Sequence, residues 1–148
     1  MNIRNLSFVV QADKRFGFVD VTDDLVRAIK DSGITTGLSV AFCTHTTCTL
    51  LLNEWEDGVL DDLCARLHEL IPGDHYYAHD DLERRTQNVQ TNERENGQAH
   101  VIQMILGGAS HAIPVEAGEP VLGRWQRLFL LELDEPHPRR VTLSVLGK

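Results

Sequence analysis

Three histidines stand out for their neighbours rather than their spacing. His45 lies in Thr44-His45-Thr46-Thr47, with Cys43 and Cys48 on either side. His79 precedes Asp80 in Tyr76-Tyr77-Ala78-His79-Asp80, and His100 closes Asn96-Gly97-Gln98-Ala99-His100. An imidazole can move a proton near neutral pH or lend a lone pair to a metal. Hydroxyls and a carboxylate beside it can fix its orientation and tautomer. The three are far apart in the chain and show no HExxH-type pairing, so spacing alone defines no metal site. A buried histidine satisfied by a threonine accounts for His45 equally well. Cys43 and Cys48 are potential ligands too, but free cysteine is among the most buried residue types, which favours core positions for both. Asn53-Glu54 adds a carboxylate that could act as a base, orient an imidazole, or cap the helix that follows.

The elements that must position these groups can be read from periodicity. Leu6, Phe8 and Val10 alternate with Ser7, Val9 and Gln11, a first strand, and Phe16 to Val19 continues extended structure. Thr22 is placed to N-cap a helix with Asp23 and Asp24 in its first turn, Leu25, Ala28 and Ile29 on its buried stripe, and Gly33 at its end. Leu38 to Cys43 reads as a strand with Leu38, Val40 and Phe42 on one face and Ser39, Ala41 and Cys43 on the other. His45 then follows at its end on the smaller, more polar face. Thr46 to Leu52 reads as the next strand. A second helix starts near Asp57, shows an apolar face of Leu60, Leu63, Cys64, Leu67, Leu70 and Ile71, and ends at Pro72, with His68 at its edge. The stretch from Pro72 to Asn96 is long, charged and irregular, a pattern found in functional or disordered loops. Val101 to Leu106 reads as a buried strand that His100 begins, and Gly107-Gly108 is no phosphate loop because no helix follows it. His111 and the exposed turn residue His137 stay outside the candidate group. Arg139-Arg140 precede a last strand, Val141 to Leu146.

Between these lies Ser110 to Asp134. A β-branched run, Ala112 to Val115, meets the turn Glu116-Ala117-Gly118-Glu119-Pro120 and then a long apolar segment, Val121 to Leu133, a hairpin pattern. Gly123 interrupts the second run and suggests a bulge that re-aims Trp125, either into the core or into a ligand pocket. Ser110, Ile113, Val115, Gly118, Gly123, Trp125-Gln126, Leu128, Leu130 and Glu132 resemble, in order and gap length, the signature of the YjbQ-like family, also called the secondary thiamine-phosphate synthase enzyme family. Arg124 stands where many members carry Ser or Thr. The resemblance spans nearly the whole chain: His-Thr-Thr at 45–47, Asn53-Glu54 and the Asn-x-x-Ala-His run at 96–100 resemble further family motifs. Shorter members reach the next motif soon after the residue matching His79, so Leu82 to Glu95 is extra here.

The resemblance implies that His45, His79 and His100 converge on one pocket as ligands of a divalent metal, zinc in the first instance, since three imidazoles with an open fourth position suit that ion. It implies a homotrimer, a β-rich pseudo-barrel, and the joining of a pyrimidine pyrophosphate to a thiazole phosphate with release of pyrophosphate. Glu54 and Asp80 are the expected acid–base or orienting carboxylates. Arg124, with Arg127, Arg84 and Arg85, is a candidate grip on the small phosphorylated substrate. A metal-free acid–base cluster, a metal-dependent phosphohydrolase and a non-catalytic ligand-binding protein remain alternatives.

With 148 residues the chain is expected to form one domain. Its 22 acidic and 14 basic residues give a net charge of −8, which disfavours nucleic acid or an anionic membrane as partner. No leader peptide or apolar run of membrane-spanning length is evident, and the odd number of cysteines without a CxxC pair points to a reduced, cytoplasmic protein. The element order predicts an α+β fold, an antiparallel β-sandwich with two segregated helices, and the resemblance implies that it closes as a pseudo-barrel.

Overall fold

Along the computed structural model, which describes residues 1–148, the elements are β1 (Asn2–Val10), β2 (Phe18–Asp20), α1 (Thr22–Ser32), β3 (Thr36–Cys43), β4 (Cys48–Glu54), α2 (Asp57–Leu70), α3 (Gly97–Leu106), β5 (Ser110–Glu116), β6 (Glu119–Pro120), β7 (Gln126–Glu132) and β8 (Arg139–Gly147). One antiparallel sheet has the order β1-β8-β3-β5-β6 and a second the order β2-β7-β4. The larger sheet curls as a half-barrel, so the fold is α+β as expected.

The alternation of β7 explains how the layers stack. Leu128 and Leu130 point into the main core, against Leu50, Ala41, Ile113, Leu143 and the Leu25–Ile29 stripe of α1. Leu131, with Leu133 just beyond the strand, points the other way, onto Leu67 and Ile71 at the end of α2 and Ala99 and Ile102 of α3. A strand covered on both faces needs an unbroken apolar run, and Leu128 to Leu131 supplies it. α2 and α3 therefore share one side of the smaller sheet, and the outer face of the larger sheet carries no helix.

Several local features differ from the sequence pattern or add to it. Val101 to Leu106 is helix rather than strand, so there are three helices, and Gly107 ends α3 in the left-handed region at φ 65° as Gly33 ends α1 at 68°. Only Ala99, Ile102 and the first two residues of α3 are buried. Thr22 is the first residue of α1 rather than its cap. Its hydroxyl donates to the Leu128 carbonyl and accepts the Leu128 N–H, while the Asp20 carboxylate takes the Thr22 N–H at 2.8 Å. In β3 the small residues Ser39, Ala41 and Cys43 face the core, because β4, β7 and α1 already supply bulk there; Phe42 on the opposite face is 44% exposed. Finally, Val121 to Leu133 is not one bulged strand. Ala117 and Gly118, both at positive φ, close the short β5–β6 hairpin. The chain then crosses to the other sheet through a turn in which the Gly123 N–H donates to Gln126 Oε1 and the Gln126 N–H to the Gly123 carbonyl. β4 begins at Cys48, two residues later than expected.

Candidate functional site

The α2–α3 connection is built from turns fastened by its own side chains. The Tyr77 hydroxyl donates to the Pro72 carbonyl at 2.6 Å, and the Tyr76 hydroxyl to Asp81 at 2.7 Å. Arg85 is the hub of the second half. Its guanidinium pairs with Glu93 at 3.1 Å and donates to the carbonyls of His79, Gln87 and Asn88. Asp80 does not orient an imidazole. Its Oδ1 accepts the N–H groups of Asn96 and Gly97 at 3.0 and 2.9 Å, the free donors at the start of α3.

That clamp sets the loop residue His79 against His100, the fourth residue of α3. Their ring centroids are 4.4 Å apart at 53°. Burial first, then His79, holds the His100 imidazole below its ordinary pKa, which keeps a lone pair available. Arg85 Nη1 lies 3.2 Å from His79 Nε2. His79, Arg84, Arg85, Tyr76 and Asn88 line an open cleft of about 590 Å³, and the Arg84 guanidinium touches only the Tyr76 hydroxyl, at 3.4 Å.

His45 is held by the start of β8. Its Nε2 accepts the Arg140 N–H at 2.9 Å, and burial, then Arg139, lowers its pKa. Next to Arg140 in the chain, Arg139 begins a polar chain that ends at Asn96, before α3, of which sequence reasoning named Glu132 and Arg139 but not the pairing. Glu132, fully buried, receives both Nε (2.7 Å) and Nη2 of Arg139, which is 4% exposed. Glu132 Oε1 also accepts the Asp134 N–H, and Asp134 Oδ2 accepts Asn96 Nδ2 at 2.9 Å. A carboxylate at the end of an apolar strand and an arginine seven residues on were the only signals available.

For a divalent metal the donor set fits in part. Two imidazoles are adjacent, and Asn96 Oδ1, at the same helix end, is buried without a hydrogen-bond partner. No group of three or more His, Cys, Asp or Glu side chains gathers around a common point. Glu54 and Arg124 line neither the His79 cleft nor the His45 side. They share a separate cleft of about 500 Å³ with Asp20, Trp55, Glu56, Trp125 and Arg127. Arg124 lies over the Trp125 ring at 4.5 Å, Arg127 is tied to Asp20, and it is Glu56, not Glu54, that caps α2 by accepting the Gly58 and Val59 N–H groups.

The profile of the family described as UPF0047 protein YjbQ-like matches residues 6–148. A UPF0047 protein of Archaeoglobus fulgidus is 33% identical over 95% of this chain and 100% of its own. The UPF0047 protein YugU of Bacillus subtilis is 30% identical over 93% and 96%. Among solved structures, a YbjQ-like protein of unknown function from Sulfolobus solfataricus P2 superposes with a TM-score of 0.87 at 29% identity, covering 99% of both chains. A hypothetical protein of Aeropyrum pernix K1 gives 0.85 at 30% identity, covering 98% and 99%. The chain belongs to the YjbQ-like UPF0047 family.

Proposed function

We propose that the His79–His100 pair is the centre of a site that handles a small phosphorylated molecule, with His45 as third ligand to a divalent metal, zinc in the first instance. The observation that carries this reading is the contact of two imidazoles beside an open cleft that holds the free guanidinium of Arg84. A bound metal would polarise a phosphate oxygen or neutralise a leaving pyrophosphate. The chain's own contribution is positional: Asp80 fixes the loop to α3, Arg85 braces its second half, and Arg84 has donors to spare for an anion. The reaction in view is the secondary synthesis of thiamine phosphate from a pyrimidine pyrophosphate and a thiazole phosphate. The working assembly is a homotrimer, for which the uncovered outer face of the larger sheet is available.

One observation favours a second reading. Arg85 Nη1 sits 3.2 Å from His79 Nε2, the nitrogen a metal would use, so the pair could act without metal as acid and base, or in phosphoester hydrolysis. Elemental analysis of protein purified without an affinity tag, then incubation with both thiamine precursors and a phosphoester panel with product mass as readout, separates these outcomes. Metal near one equivalent and a coupled product support the first reading. Metal-free protein that hydrolyses phosphoesters supports the second, and inert, metal-free protein refutes both.

A further inference from the structure

Cys43 ends β3 in the larger sheet and Cys48 opens β4 in the smaller one, so the connection that carries His45 is bracketed by two thiols. Their sulfurs are 3.2 Å apart, and both residues are buried, at 2% and 0% exposure, and free. Contact this close leaves no room for a water or a third side chain between them. A disulfide needs a separation of about 2.05 Å, so roughly 1 Å of approach would join them. The pair lies one layer below solvent, since Thr44 and Thr46 above it are exposed and His45 is half-buried. Cys64, on α2, is the third thiol and makes its only polar contact with the Phe16 carbonyl, at 3.9 Å.

We propose that Cys43 and Cys48 are a redox dithiol that a small peroxide converts into an intrachain disulfide, stapling the two sheets at the His45 connection. One thiolate attacks a peroxide oxygen. The O–O bond breaks, the second oxygen leaves as water after taking a proton, and the attacking sulfur becomes a sulfenic acid. The sulfur of the other cysteine then attacks the sulfenic sulfur. The S–S bond forms, the S–O bond breaks, and the hydroxyl leaves as water with the thiol proton. Two thiols are oxidised and one hydrogen peroxide is reduced to two waters. His45 lies between the two cysteines in the chain, two residues after Cys43, so closure reaches the histidine through the main chain. The proposal does not depend on the metal reading, because no step uses one.

The test is made on the full chain, reduced, desalted and treated with hydrogen peroxide in the presence of a chelator. Alkylation after unfolding should find one reactive thiol in place of three, an intact mass lower by two hydrogens, and a Cys43–Cys48 linked peptide. A reductant should restore all three thiols, and Cys64→Ser should form the same link. The oxidised form should melt about 5 °C higher than the reduced form. Three alkylated thiols after peroxide, a link through Cys64, or a gain of oxygen in place of the loss of hydrogen would each overturn the proposal. An unchanged melting temperature in the linked form would overturn the stapling.

Discussion

Trp125 is 61% exposed in the turn before β7, so removing its ring opens no cavity. Trp125→Ala is expected to change stability by less than about 0.5 kcal/mol, where a core tryptophan would cost about 3–5 kcal/mol. Affinity for any ligand of the cleft shared with Glu54 and Arg124 should fall, and melting together with calorimetric titration of that one variant checks both. At the candidate centre, His45→Ala, His79→Ala and His100→Ala should each lower metal content sharply while the chain stays folded, and His137→Ala should not; full metal in the first three would remove the site assignment. Glu132→Gln leaves the Arg139 guanidinium buried without its counter-charge and should cost about 3–5 kcal/mol in denaturant unfolding. Asp20 answers to pH. Burial alone would raise its pKa, but the Thr22 N–H and the Arg127 guanidinium outweigh it and hold the carboxyl below its ordinary value. Its contribution is thus fully present above the unfolded value of about 3.9 and is lost as pH falls through the lower folded value. Asp20→Asn should cost about 1 kcal/mol at neutral pH, a gap from the parent that closes in acid. The histidines were legible as residue types, because an imidazole among threonines or beside an aspartate is conspicuous in any order. The Glu132–Arg139 pair was not, because its meaning lies in a contact between the end of β7 in one sheet and the start of β8 in the other, which no local pattern encodes.

Among the elements, α3 shows how a helix can hide. Its exposed positions Met104 and Ile105 are as apolar as its buried Ile102, so the run Val101 to Leu106 has no polar face and its period disappears. The stop was readable: Gly107 does for α3 what Gly33, correctly placed, does for α1. The two long helices with polar outer faces were legible for the converse reason. The loop from residue 72 to 96 was legible in extent but not in conformation, since its order depends on Arg85 reaching four partners along the chain. Its fastening to α3 gives an element-scale prediction. Asp80→Ala removes the acceptor for two N–H groups at the helix start and should cost about 1 kcal/mol. Hydrogen exchange should show the Asn96 and Gly97 amides exposed earlier than the centre of the helix, with His79 and His100 no longer held in contact.

For the whole molecule, the uncovered face of the larger sheet is the feature that asks for a partner. Ile3 and Val9 of β1 and Phe42 of β3 are exposed there, on two strands whose other faces build the core. Light scattering at micromolar concentration is expected to give a trimer mass, and Phe42→Asp to shift it toward the monomer; a monomeric parent would refute the assembly. No helix is long and apolar enough to cross a membrane. The antiparallel α+β architecture was readable from the order of strands, whereas their division between two sheets was not, because the chain changes sheet at corners such as Thr44–Thr47 that look like ordinary turns. That division bears on how the protein is made. β1 has a single neighbour, β8, and β8 lies between β1 and β3. A ribosome releases β1 long before β8 exists, so the first strand emerges with no edge to join, and the larger sheet can close only when residues 139–147 slide into the gap. Pairing across nearly the full sequence is slow to find, and an unpaired β1 is open to capture by other nascent chains. Strand β8 is therefore the keystone of biogenesis: a stalled product lacking it should be aggregated and cleared by proteases, however complete its helices and its histidines.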